Sequence, residues 1–183
     1  NVVPLLGGHQ GANKLARKIA DTLGGTAAIT TAGDTRFGIA LDDPPEGWRV
    51  ANRDNAKPVM AALLNGDPVR LQDETGDGVD KSWLMGSGLT FADDAEHCIR
   101  LTHARLPEET DDLILSSGTL ALGIGCERGV ASEDLATFLF DVFKEHDLGK
   151  HAITCIATID LKEDEAAIKE MARFGNVPVR LFD

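Results

Sequence analysis

Apolar and polar positions along this chain follow two rhythms, and glycine marks most of the places where one gives way to the other. Val2, Val3, Leu5 and Leu6 form a short continuous apolar run, which predicts a buried strand over Val3 to Leu6. Gly7-Gly8 then permits a sharp turn. From about Gly11 the period becomes helical, with Ala12, Ala16 and Ala20 in one row, Leu15, Ile19 and Leu23 in the next, and Lys14, Arg17, Lys18 and Asp21 opposite. Gly24-Gly25 stops that helix, and Ala27 to Thr30 predicts a second strand ending near Asp34. A strand, turn, helix and strand in this order predict a right-handed parallel connection, which would gather His9, Asn13 and Asp34 on one rim.

Between residues 35 and 118 the pattern loosens. Pro44-Pro45 interrupts it, Trp48 to Ala51 is a short strand candidate, and Asp54 can cap a helix over Asn55 to Leu64 that Asn65-Gly66 ends. Val69 to Leu71, His97 to Thr102 and Leu113 to Leu115 are further strand candidates. Gln72 to Gly88, with DETGDGVD at its heart, is polar and dotted with glycine, and predicts a mobile loop.

Strong periodicity returns at Leu120. LALGIGCERG is a strand entering a glycine turn, Ser132 can cap the next helix, and Leu135, Phe138, Leu139, Val142 and Phe143 form its apolar stripe. Gly149 is expected to end it. HAITCIATID is a buried strand with Asp160 at its carboxyl end, Asp164 to Phe174 a helix, and Val177 to Phe182 the last strand. The chain therefore predicts an α/β protein in three parts, 1–34, 35–118 and 119–183. Two parallel strand-turn-helix units of doubly wound type flank an irregular middle segment.

Composition narrows the function. The 183 residues are 43% apolar and 5% aromatic, in keeping with a cytosolic α/β protein able to bury a sizeable core. Thirty acidic against 18 basic residues, a net charge of -12, argue against nucleic acid or an anionic membrane as partner. Any anionic ligand would depend on local donors. Cys98, Cys126 and Cys155 are odd in number and unpaired in spacing, which indicates a reducing compartment and no metal site. No apolar run is long enough to cross a bilayer, and Asn1-Val2-Val3 is not a signal peptide. A start inside an apolar run, without methionine, is what part of a longer protein would have.

In open parallel sheets ligands sit beyond the carboxyl ends of the strands, where turns and helix starts expose backbone N–H groups, so an anion is the expected guest. On the first rim stand Gly7, Gly8, His9, Gly11, Asn13 and Asp34; on the second stand Gly125, Cys126, Glu127, Arg128, Asp160 and Lys162. The glycines have a structural explanation in any tight turn, Asn13 can bridge its own turn, and Asp34 can be a cap. His9 is different, because a histidine inside such a turn suits proton transfer or carboxylate binding. Gly123, Gly125 and Gly129 spell GxGxxxG, one residue longer than the dinucleotide fingerprint, and Asp160 comes too late to be its acidic partner, which argues against NAD. Cys126 beside Arg128 at a helix start permits a nucleophile, although a small buried cysteine is the commoner case. Lys162 and Glu165 have the spacing of a surface ion pair, and His97, His103, His146 and His151 follow no partner pattern.

VPLLGGHQGANKLA followed by ITTAGD resembles the signature of the CbiG/CobE family of cobalamin biosynthesis, although that family usually has a second glycine near Gly11 and ATD in place of Ala32-Gly33-Asp34. WRVANRDNAKPVMAALLNGDPVRL resembles its central part. LALGIGCERG with ATIDLKEDEAAIKEMA resembles its C-terminal unit, where a GIGC-R-G turn and an S-I-D-K-E pattern recur. TAGDTRFGIALDDPP is similar to versions fused to a precorrin-3B C17-methyltransferase, but no S-adenosylmethionine site is evident.

The resemblance implies a cobalt-precorrin-5A hydrolase, which opens the ring-A δ-lactone with release of acetaldehyde to give cobalt-precorrin-5B. It equally admits a non-catalytic carrier of corrinoid intermediates. No protein cofactor is implied, since any cobalt arrives inside the polycarboxylate substrate. On this reading His9, Asp160 and Lys162 are the catalytic candidates. Gly7, Gly8, Gly11, Asn13, Asp34, Gly125, Cys126, Arg128 and Glu165 would bind substrate.

Overall fold

The computed structural model describes residues 12–29, 32–107 and 109–183, with the backbone alone at Ala32 and Asp34. The expected strand Val3 to Leu6, and with it Gly7, Gly8, His9 and Gly11, lies outside the described residues.

Helix α1, Ala12–Leu23, forms where its period predicts and turns out through Gly24 at φ 62. Its Ala12, Ala16, Ile19 and Ala20 side is half-covered, whereas Leu15 and Leu23 are exposed. Among the described residues, 25–29 form no strand, Thr30 of the expected second strand and its expected partner Val3 to Leu6 lie outside the described residues, and Ala32–Phe37 is a short helix, α2. Asp34 therefore sits in a helix and not at a strand end. Gly33 packs closely on the next helix, where a Cβ would come within 3.1 Å of Met60 Sδ.

The middle of the chain is more regular than its pattern indicates. It builds a four-stranded sheet from β1 (Trp48–Val50), β2 (Arg70–Asp73), β3 (Cys98–Leu101) and β4 (Leu113–Ser117), in spatial order β1-β4-β3-β2. β2, β3 and β4 are parallel and β1 is antiparallel to β4. The strands are too short to display a period from sequence alone, and partners distant in the chain supply their order. Leu71, Ile99, Leu113 and, one register step on, Leu101 and Leu115 face α3 (Ala56–Asn65), and the last four are fully buried. Each such side chain contributes about 1.5–3 kcal/mol. A 3-10 turn, Arg53–Asn55, leads into α3 in place of the expected Asp54 cap, and Gly66 ends the helix at φ 97 as predicted.

The polar segment expected as a mobile loop is partly ordered. α4, Ser82–Met85, forms within it, Leu84 is fully buried, and Lys81 clamps the segment by bonding Asp73 and the Gly76 carbonyl (2.9 Å).

The C-terminal part is a parallel three-stranded sheet, β5 (Leu120–Gly123), β6 (Ile153–Ile159) and β7 (Val179–Phe182), in that spatial order. α5, Ser132–Glu145, and α6, Ala166–Gly175, connect the strands and bury Leu135, Leu139, Ala167 and Ile168 against Ile156. Ala131, not Ser132, holds the N-cap position of α5, and no side chain caps it. Phe138, expected on the packed stripe, is 64% exposed. α5 ends before Gly149, at Glu145, with Asp147 in the left-handed region at φ 51. Gly149 serves another purpose: its Cβ would meet the Ala104 carbonyl at 2.6 Å and the ring of His151. There Ala104 bridges Leu148, Arg105 N–H donates to the Asp147 carbonyl (2.9 Å) and Gly149 N–H to that of His103 (2.8 Å), stitching the two sheets together.

Candidate functional site

Because β5, β6 and β7 are parallel, their carboxyl ends share one edge, with Gly123 opposite Ala157 and Ile159 opposite Phe182. The ladder runs one residue past β5, as Ile124 N–H donates to the Ala157 carbonyl (2.9 Å) and the Thr158 hydroxyl to the Ile124 carbonyl (2.8 Å). The chain then leaves the sheet. Among the described residues, the backbone N–H groups of Gly125, Cys126, Glu127 and Arg128 donate to no protein acceptor.

A cleft of about 750 Å³ opens at this edge, floored by Gly123, Gly125 and Ala157 and walled by Cys126, Phe182 and Lys162. Phe182 is 56% exposed and Ile159 48%, so the sheet presents apolar surface beside one ammonium, Lys162, and one carboxylate, Glu127. Gly129 needs to be glycine for its φ of 76. Gly123 and Gly125 have no such need, since neither has a positive φ and a Cβ on either would meet nothing within 4 Å. Both open onto the cleft and leave the backbone accessible there.

The rim residues divide by what holds them. Glu165 is buried, accepts the Gly129 N–H on both oxygens (3.0 and 3.2 Å), and lies 3.9 Å from Lys162 Nζ. That shared N–H ties the loop after β5 to the turn after β6, so Glu165 supports the cleft from behind and is not among its lining residues. Lys162 keeps its other donors for the cleft. Arg128 is also committed: its guanidinium grips both oxygens of Asp164 (2.9 and 3.0 Å) and the Leu161 carbonyl (2.6 Å). That bond holds the Asp164 carboxyl below the ordinary aspartate range. Cys126 lines the cleft. Asp160 begins a 3-10 turn, is exposed, and accepts the Leu161 N–H (2.7 Å). Of the second-rim candidates, Gly125, Cys126, Glu127 and Lys162 meet in the cleft, Asp160 follows the lining residue Ile159, and Arg128 and Glu165 build its frame. Of the first, Asn13 is half-buried in the opening turn of α1, and Asp34 lies in α2.

Among the described residues there is no group of three or more histidine, cysteine or acidic side chains that could hold a metal, and no helix long and apolar enough to cross a membrane. The three cysteines are free thiols. The pattern of single residues missed a second polar assembly on the central sheet. Arg100 donates to Asp112 (2.6 and 3.0 Å) and Glu74 (3.3 Å), on the face opposite the core. Polar residues at alternate positions, Arg70 and Gln72, then Cys98 and Arg100, were its signal.

Three family profiles match the chain in order: the cobalamin synthesis G N-terminal region over residues 1–34, the cobalamin biosynthesis central region over 44–115, and the cobalamin synthesis G C-terminus over 120–183. The chain is 30% identical to a cobalt-precorrin-5A hydrolase of Priestia megaterium, over 94% of its own length and 51% of that protein. It is 29% identical to the enzyme of the same name from Salmonella typhimurium, over 100% and 55%. The chain thus spans about half the length of these curated relatives. A crystal structure of a cobalamin biosynthesis protein G homologue from Sulfolobus solfataricus is 24% identical, with a TM-score of 0.32 over 98% of this chain and 52% of the other.

Proposed function

We infer, from the premise that this chain belongs to the cobalamin synthesis G family, that it binds a corrinoid precursor and takes part in opening the lactone of cobalt-precorrin-5A. The observation that carries this reading is the cleft beyond β5 and β6, where two glycines keep the backbone bare beside Lys162. A corrinoid precursor is a wide apolar macrocycle fringed with carboxylates. Exposed Ile159 and Phe182 suit the ring, while the Lys162 ammonium and the free N–H groups of 125–128 suit a carboxylate or a developing oxyanion.

Lactone hydrolysis adds water to the ester carbonyl, passes through a tetrahedral oxyanion, and breaks the ring C–O bond as the leaving oxygen takes a proton. A base must accept the proton of the water, and His9 remains our candidate, with Asp160, which follows the cleft residue Ile159, the second; Glu127 is the carboxylate that lines the cleft itself. Lys162 is assigned the oxyanion or a carboxylate arm. Any cobalt belongs to the substrate. Cytoplasmic location is part of the same proposal and is supported by the three free cysteines. So is association with a precorrin-3B C17-methyltransferase, which co-elution of the two proteins would test.

Calorimetry with hydrogenobyrinic acid, NADH and duplex DNA is the first test, with binding of the first alone expected. Tight NADH binding would overturn the reading. Acetaldehyde release on adding cobalt-precorrin-5A then separates hydrolase from carrier, because a spectral change without release marks a carrier. His9→Ala is expected to lower turnover about a hundredfold or more if His9 is the base.

A further inference from the structure

The polar face of the central sheet holds a second cavity, of about 420 Å³, where β2 and β3 end and the two sheets are stitched together. Glu74, Arg100, Thr102, Arg105 and Asp147 line it over a floor that includes Ile114. Arg100 and Glu74 are committed to each other and to Asp112 and Gln72. Arg105 is not: among the described residues its guanidinium has no carboxylate within 4.0 Å, although its backbone is fixed by the N–H bond to Asp147. Thr102 is 4% exposed, and its hydroxyl oxygen accepts the Ala104 N–H (3.0 Å), which leaves the hydroxyl proton to donate.

We propose that this cavity is a carboxylate-binding subsite, in which Arg105 supplies the charge and Thr102 a hydrogen bond. Glu74 and Asp147 also line the cavity and their charges oppose a guest anion, so the subsite takes one carboxyl group and discriminates against a cluster of them. A charged hydrogen bond from arginine is among the stronger polar contacts a protein makes; Arg105 is exposed, so the buried Thr102 hydroxyl fixes the position of the guest. The guest is either a free small acid or one carboxylate arm of a larger molecule. The proposal does not depend on the β5–β7 cleft.

The test follows backbone amide NMR signals during titration with propionate, in the unmodified protein and in Arg105→Gln, Asp147→Asn and Lys162→Gln. Shifts at Thr102, Ala104 and Arg105 are expected. Arg105→Gln should weaken propionate at least about tenfold, Asp147→Asn should strengthen it, and Lys162→Gln should leave it unchanged. Asparagine tolerates the left-handed backbone of position 147, so that variant keeps the loop. No shift at these amides, or equal affinity in Arg105→Gln, overturns the proposal. Hydrogenobyrinic acid then distinguishes the sources, because Arg105→Gln weakens it only if the guest is an arm of the macrocycle. Its binding lost in Lys162→Gln but kept in Arg105→Gln leaves the proposed function standing with the subsite filled by a small acid.

Discussion

Removal of the Glu165 carboxylate is the most informative single perturbation of the rim. The side chain is 4% exposed, so its contacts are scarcely screened by water. Glu165→Ala leaves the Gly129 N–H without its acceptor and takes the counter-charge from Lys162, whose own side chain is 15% exposed. A hydrogen bond to a charged acceptor is worth about 1.5–3 kcal/mol, and breaking a buried ion pair by deleting one partner costs about 3–5 kcal/mol. At 3.9 Å the pair with Lys162 is loose, which places the sum near the lower figure, about 3 kcal/mol. For a chain of this size that corresponds to a fall in Tm of roughly 6–12 °C. Glu165→Gln keeps a carbonyl for Gly129 and loses only the charge, so about half of that is expected. Urea unfolding followed by circular dichroism reads the stability, and calorimetry with hydrogenobyrinic acid reads the site. Both variants should weaken binding, because the loop after β5 and the ammonium both lose their anchor. An alanine variant within about 0.5 kcal/mol of the unmodified protein, a typical surface-substitution effect, would refute the view that Glu165 frames the cleft.

Gly123→Ala and Gly125→Ala should leave the urea midpoint unchanged, since nothing lies near either added methyl, yet weaken hydrogenobyrinic acid about tenfold or more; unchanged affinity would deny any close approach to that backbone. Gly149→Ala forces its methyl against the Ala104 carbonyl and should cost about 1–3 kcal/mol by the same urea assay. Burial, helped by the charges of Lys150 and His103 and opposed by the Thr102 carbonyl, pushes His151 below the usual 6.5. The unfolded chain therefore binds the proton first. Stability is full above about pH 6.5 and declines as the pH falls from there to the lower folded value, which proton NMR of the His151 ring measures directly. For Asp164 the ordinary value is 3.8, and the Arg128 pair is fully present above it and fades as the pH drops through the lower folded value. Carboxyl-carbon NMR should find Asp164 returned to the ordinary range in Arg128→Ala.

Residues close in sequence settled what needed only local information. The helical period of Ala12 to Leu23, the stop at Gly66, and the strand-turn-helix alternation from Leu120 onward are each set within a few turns of chain, and each stands in the structure. So does the second rim, because parallel strands joined by helices must end on one edge. What the local pattern left open depends on partners far along the chain. The strands of the middle are three to five residues long, and their order β1-β4-β3-β2 follows from burying Leu101, Leu113 and Leu115 against α3. Gly33 of the Ala32–Phe37 helix packs on Met60, a residue of another element, which the local pattern did not show. The same holds at the site. Spacing marked Arg128 and Lys162 as rim residues and Lys162 with Glu165 as a surface ion pair, and only the fold decided that Asp164 takes Arg128, Gly129 takes Glu165, and Lys162 lines the cleft. A side chain's role depends on which partner reaches it first, and that is set by packing between elements that the sequence holds far apart.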